Sequence, residues 1–518
     1  MSAPVIEPQA SDGLGLRRQI LEILMVAALV GATFGPSLPY YFLPSDFDWL
    51  SIGKFGSGEV ESLRNFPTYR PTTGVVFDTA YSLFGEEYAW PYRLTLMVLH
   101  GANAILASTL VGRMLRRPDL RWVVAALFAV APASSEVVHT ISTFVYPLVA
   151  FFLYLGLLLY DRAVETNRWI PWIAALLCFA CAAPLREHWI AAAPLALLLE
   201  FNRGGSGAYR TRGFLVRIGT LVAAGLAFFL WRGIPSALRG PEYRFEATPM
   251  ATRLLLSFER LVLPPIPLDL TEYRGVHLLA GAGVLVAALW IATRGRSTER
   301  WRAYALLAAL LIALGPFLPV EGSTIRQRFA YFGIPFAAGI AALGIHILGD
   351  RLSHRAALPV LGAMLAGLLM EQQAEFTRDY RPLAEESRVR AAAFRQAAQL
   401  VSQLDEVAVF DGDLEARNFA PNLQSVRSTF RVLSGVSRRQ VVQIEAGSAE
   451  ELRAHVDRLR VASQATGTQM RLFLRAPTEY SLVRLSESSD PAKVAFQTEE
   501  SRLGPKTMFV LLPREPKL

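Results

Sequence analysis

Apolar runs of roughly 17–24 residues recur along this 518-residue chain, and they restrict the fold more than any other feature. Such a run lets a helix cross a hydrocarbon core about 30 Å thick, and a helix satisfies its own backbone hydrogen bonds where no water is at hand. The runs centre near residues 32, 103, 128, 152, 176, 194, 223, 284, 310, 339 and 364. Those at 128 and 194 are short or carry proline and charge. Composition agrees: 52% of residues are hydrophobic, mean hydropathy is +0.31 and 19% are charged. A soluble enzyme would carry about 25% charged residues. The expected fold is an all-α polytopic membrane protein with eleven spans.

The net charge of +8 raises the question of nucleic acid, but the basic residues sit in short turns between apolar runs. Arg113, Arg116, Arg117 and Arg121 form one group. Arg203, Arg210 and Arg212 form a second, Arg294, Arg296, Arg300 and Arg302 a third, and Arg351 with Arg355 a fourth. Every second connection is therefore basic, the pattern of cytoplasmic loops, and nucleic acid is the poorer explanation. Arg17 and Arg18 before an apolar stretch resemble a signal peptide, yet the stretch continues to about residue 43 without a convincing cleavage site. It reads as an uncleaved first span with the N-terminus inside. Cys178 and Cys181 lie within an apolar run and read as packing residues rather than as a redox or metal pair.

Three regions follow: a cytoplasmic tail (1–18), a transmembrane domain (19–373) and an extracytoplasmic region (374–518). Alternation from an inside N-terminus places connections 45–93, 133–143, 233–275 and 317–328 outside, with the short turn at Arg186-Glu187. The first is long enough to suggest function, and segments 55–66 and 75–84 could lie along the membrane surface. The last region changes character. Residues 381–404 read as an amphipathic helix, 407–410, 470–474 and 507–512 as strands, and 449–459 as a helix. This is expected to be a small α+β domain with a binding or stabilising role.

Asp46 and Asp48 stand where the first span ends, in Pro44-Ser-Asp-Phe-Asp-Trp49. Carboxylates at a span mouth lose part of their hydration, so they read as an acid/base pair, or else as a helix-capping acid and a solvated loop acid. The pair also has the form of a DxD metal motif. Two carboxylates hold Mg²⁺ or Mn²⁺ only with water or substrate phosphate, so a divalent metal at Asp46/Asp48 is the secondary reading.

Several ordered fragments resemble the GT-C superfamily of polytopic glycosyltransferases, particularly bacterial relatives of protein O-mannosyltransferases. They are the acidic pair Asp46-Phe-Asp48, Tyr69-Arg-Pro71 with Leu83-Phe-Gly85, His100-Gly-Ala-Asn103, and Ala131-Pro-Ala-Ser-Ser-Glu136. Arg186-Glu187 with Pro194, Pro264-Pro-Ile-Pro-Leu268 with Tyr273, and Arg328-Phe-Ala-Tyr331 complete the order. The sequence departs from the family pattern where Phe47 splits the acids, Ala131 replaces a His, Arg186 replaces a Lys and His139 replaces a Trp. The resemblance covers most of residues 20–372 and implies a sugar donor linked to polyprenyl phosphate.

Such a reaction needs a base for the acceptor hydroxyl and cations for the departing phosphate. Asp46 or Asp48 is the expected base, and two acids so close should titrate as a pair. Arg328 is the expected phosphate clamp, with Tyr331 nearby and Arg70 making a similar claim; a snorkelling arginine and a loop anchor are the structural alternatives. Glu136 could orient the acceptor, pair with an arginine such as Arg186, or cap a helix. Arg186 and Glu187 form either an internal ion pair or part of the phosphate site. His100 and Asn103 read as interhelical hydrogen-bonding groups, and His139 as structural.

The expected function is transfer of a sugar to a glycan or protein hydroxyl on the outer face of a bacterial cytoplasmic membrane. Expected partners are the lipid-linked donor, the acceptor and membrane lipid, without nucleic acid. The alternatives are a transporter or flippase for lipid-linked glycans and a non-catalytic envelope scaffold.

Overall fold

The computed structural model describes residues 12–56, 71–204, 212–228, 297–315, 327–352 and 354–385, five strands between 406 and 512, and single positions elsewhere. The chain forms two compact units. One comprises Met1–Leu38, Arg93–His139 and Thr143–Arg378; the other comprises Pro39–Tyr92, Thr140–Ser142 and Asp379–Leu518. The first outer loop thus groups with the C-terminal region, a partition that consecutive domains along the sequence do not express.

The first unit is helical. Its elements are α1 (Asp12–Phe34), most of α4 (Trp90–Leu115), α5 (Arg121–Ala129), α6 (Ser135–His139) and α7 (Val145–Thr166). They continue with α8 (Trp169–Ala182), α9 (Ala192–Gly204), α10 (Arg212–Phe228), α11 (Ser297–Leu314), α12 (Ile334–Leu352) and α13 (His354–Glu375). The second unit holds α2 (Asp46–Phe55) and α3 (Pro71–Phe84). Ten of the eleven apolar centres fall inside these helices; the one near 284 lies outside the described stretches. Four described segments are long and apolar enough to cross a membrane: Arg17–Ser37, Trp90–Leu115, Ile141–Thr166 and Tyr331–Asp350. A bent pair, Pro118–Ala129 with Pro132–His139 at 58°, makes a fifth if counted as one broken span. The chain is a multi-pass membrane protein.

The bend has a local cause. Pro132 lacks an N–H and holds Ala131 in extended backbone, at φ −64° and ψ 134°, so α5 cannot continue. Carbonyls freed at the break find side chains. Gln372 Nε2 donates to the Ala131 oxygen at 2.8 Å, Ser134 Oγ donates to the same oxygen at 2.5 Å, and the Ala129 oxygen lies 3.2 Å from His100 Nε2. Irregular backbone at such depth persists only when satisfied in this way. Close packing of α7 on α8 depends on Gly156, where a Cβ would stand 2.5 Å from the Phe179 ring.

In the C-terminal region five strands form one sheet in the order β2-β1-β5-β3-β4. They are β1 (Glu406–Gly412), β2 (Val441–Gln443), β3 (Arg471–Arg475), β4 (Tyr480–Arg484) and β5 (Lys506–Leu512). β1 pairs parallel with β2 and antiparallel with β5, which pairs antiparallel with β3. β1, β3 and β5 coincide with the strand-like runs of the sequence, and the short β2 and β4 lie outside them. The expected helix at 449–459 lies outside the described residues.

Candidate active site

In the second unit α2 is fastened at both ends. Asp46 opens it, 0% exposed, and its carboxylate accepts two backbone N–H bonds, from Leu43 to Oδ2 at 2.9 Å and from Ser142 to Oδ1 at 3.0 Å. At the far end Lys54 Nζ lies 2.7 Å from Glu86 Oε1 and donates to the Val432 carbonyl at 2.6 Å, while Arg431 stacks over Phe55 at 4.9 Å. Between them Trp49 stacks on Phe77 at 4.6 Å, and Gly53 lets α3 approach: a Cβ there would lie 2.7 Å from the Phe77 carbonyl. Nearby, Arg395 donates to the Tyr41 hydroxyl at 3.1 Å, and burial nonetheless pushes that phenol up from its ordinary value.

Two residues at 3.6 per turn differ by roughly 200°, so Asp46 and Asp48 point to opposite sides of α2. Asp46 points into its unit and ties the chain before α2 to Ser142, 96 residues on. Asp48 is half-buried in the first helical turn, where the N-terminal dipole favours an ionised carboxylate. With both Asp46 oxygens bonded to amides, the two acids are not arranged as a joint cation-binding pair.

In the first unit Glu136, at the start of α6, is bound to Arg328. Its Oε2 accepts the Arg328 backbone N–H at 3.0 Å and its Oε1 lies 3.3 Å from Nη1. Side-chain exposure is 16% for Arg328 and 20% for Glu136, so the pair is sheltered without being sealed. The Arg328 guanidinium stands 5.7 Å from the centroid of the Tyr146 ring, and the buried Arg186 guanidinium stands 4.6 Å from the same centroid. Two guanidinium groups therefore pack on one aromatic ring, an attraction worth roughly 0.5–2 kcal/mol each. His188, in the turn Glu187–Ala191, stacks on Phe332 at 3.9 Å and packs edgewise on Tyr146 at 5.4 Å, backing the ring from a second element. The Tyr146 hydroxyl is buried without a hydrogen-bond partner among the described residues. Glu187 is half-buried beside Arg186.

Tyr331 belongs to a different set. Its hydroxyl accepts from Asn103 Nδ2 at 3.2 Å and lies 3.0 Å from His100 Nδ1. Because His100 Nε2 faces a carbonyl it carries the proton, leaving Nδ1 to accept from Tyr331. Asn103 also donates to the Pro147 carbonyl at 2.8 Å. This network joins helices inside the bundle, the role read for His100 and Asn103, and it occupies the tyrosine expected beside the phosphate. His139 is buried between Phe34 and Phe376 at 5.2 and 5.0 Å. Arg70, Tyr273 and the 264–268 segment lie outside the described residues.

Sequence reasoning missed Tyr146 and His188. The available signal was an aromatic immediately before Pro147 at the mouth of an apolar run, where a tyrosine with one wet end is at home.

No family model matches the chain, and no curated protein matches it. Among solved structures, an oligosaccharyltransferase from Archaeoglobus fulgidus overlays at 12% identity, with TM-scores of 0.45 in its apo form and 0.48 with zinc and sulfate. Those overlays cover 95% and 89% of this chain and 78% and 73% of the other. ArnT from Cupriavidus metallidurans, solved with undecaprenyl phosphate bound, overlays at a TM-score of 0.50 and 12% identity, covering 94% of this chain and 97% of ArnT. The chain shares the fold of ArnT. At 12% identity the fold alone is shared.

Proposed function

We propose that this protein is an integral-membrane glycosyltransferase that moves a sugar from a polyprenyl-phosphate-linked donor to a hydroxyl of a glycan or protein. The observation that carries this reading is the packing of Arg186 and Arg328 on the Tyr146 ring. Planar guanidinium groups suit phosphate oxygens, and a buried phenol lacking a partner can donate to an anion placed there. Glu136 is a positioning residue that fixes the Arg328 backbone and fork together.

Asp48 is the reacting carboxylate in this reading and Asp46 the clamp. Asp46 is fully buried with both oxygens held by backbone amides, as suits a clamp, whereas Asp48 is half-buried and keeps some exposure to solvent. The acceptor O–H proton passes to a carboxylate base while the acceptor oxygen attacks the anomeric carbon. The bond from that carbon to the phosphate oxygen breaks, and the electron pair leaves with the phosphate, held by Arg186 and Arg328. The tail region fastens the first loop through Lys54, Arg395 and Arg431 and so steadies α2. Eleven spans, an inside N-terminus, an outside α+β C-terminal domain and a bacterial cytoplasmic membrane complete the reading.

The test is transfer of labelled sugar from a polyprenyl-phosphate donor by purified full-length protein. D48N should lose about 10²–10⁴-fold in rate while folding normally. D46N should instead lower thermal stability, since its amide NH₂ would face a backbone N–H donor. Full activity of D48N would overturn the assignment, and no transfer by well-folded wild type would leave the scaffold reading standing.

A further inference from the structure

A cavity with a charged rim lies beside the basic turn between α4 and α5 of the helical unit, and the proposed reaction makes no use of it. It has a volume of about 350 Å³ and opens between α1 and the start of α5, lined by Arg18, Glu22, Met25, Pro118, Arg121 and Trp122. That size is at the small end of the roughly 300–1,000 Å³ of ligand sites. Its floor is built: Glu22, 9% exposed, accepts from Arg121 Nη2 at 3.1 Å and from Ser108 Oγ at 3.1 Å. Arg121 is thereby held in place with its charge balanced, and Arg18 supplies a further cation at the rim, reaching the Pro118 carbonyl at 3.5 Å.

The surface beside the cavity is apolar. Leu21 is 66% exposed and Leu24 59%, on the same helix as Arg18, and Trp122 is partly exposed at the mouth. A cationic rim continuous with exposed leucines matches a molecule with an anionic head and hydrocarbon tails. It does not match a free anion, which has no use for the leucines, or a peptide, which would leave backbone groups against them. Basic pockets between spans at the positively charged membrane face take anionic lipid headgroups.

We infer that this cavity binds the phosphate of an anionic glycerophospholipid, with Arg18 and Arg121 contacting the headgroup, Trp122 at the interface and the acyl chains along Leu21 and Leu24. The site is independent of the proposed glycosyl transfer and of Asp48 or Arg328.

Native mass spectrometry of purified full-length protein tests it, using phosphatidylglycerol, phosphatidylcholine and soluble glycerol phosphate as probes. Wild type should retain phosphatidylglycerol in preference to phosphatidylcholine. R18E should lower phosphatidylglycerol occupancy about tenfold through loss of a charge-assisted contact. R18K, which keeps the charge at an exposed rim position, should restore most of it, and W122A should weaken it without changing the preference over phosphatidylcholine. Equal retention of both lipids, unchanged occupancy in R18E, or retention of glycerol phosphate as strong as that of the lipid would each overturn the inference.

Discussion

The two ends of the helical unit handle charge in opposite ways. At the basic end carboxylates sit among arginines. Asp161, almost fully buried, is bonded to Arg113 at 2.9 Å and also to Arg203, and Glu200 accepts from Tyr160 at 2.8 Å and from Arg217 at 2.9 Å. At the other end two guanidinium groups pack on an aromatic ring, and Glu136 holds one of them by its backbone as well as its side chain. The first arrangement neutralises charge and staples α4, α7 and α9. The second holds cationic forks at fixed positions beside a buried hydroxyl, which is what a site for a departing phosphate requires.

The contrast predicts different losses at the two ends. R328A should cut transfer about 10²–10³-fold with little change in melting temperature, as removal of a group that stabilises developing charge does. A matching fall in stability would place Arg328 with the staples instead. D161A should cost about 1–3 kcal/mol of stability, below the value for a wholly buried pair because both arginines are about a third exposed. Chemical denaturation of detergent-solubilised protein reads this, and transfer per folded molecule should be unaffected. Y146F keeps the ring under both guanidinium groups and removes only the hydroxyl, so donor affinity should drop about fivefold, the worth of one hydrogen bond near 1 kcal/mol. Smallest of all, D119N breaks the exposed pair with Arg117, 2.8 Å long, and should move stability by less than about 0.5 kcal/mol.

Much of the helical unit was legible because spans obey one simple rule, length of apolar run. Even the break in the third span was marked, by Pro132 in a short segment. The site was legible only in part. Glu136, Arg186 and Arg328 stood out as charges at span mouths, and they converge; Tyr331 stood out by the same motif, but Asn103 and His100 engage it from another helix. Asp46 and Asp48 look alike in sequence. What separates them is a half-turn of helix and an amide donor 96 residues away, a long-range contact that no local pattern encodes. The grouping of the first loop with the tail is hidden for the same reason: Lys54 and Val432 are 378 residues apart. Tyr146 carries no charge to mark it, and its importance comes from the two arginines that pack on it.

Retention of undecaprenyl phosphate by purified full-length protein tests the central assignment most directly, since this probe carries the lipid phosphate without requiring the sugar to be known. Wild type should hold it in native mass spectrometry, and R186A/R328A should hold at least about a hundredfold less, two charge-assisted contacts being lost. Equal retention by wild type and by a well-folded double variant would contradict the phosphate site and the function built on it.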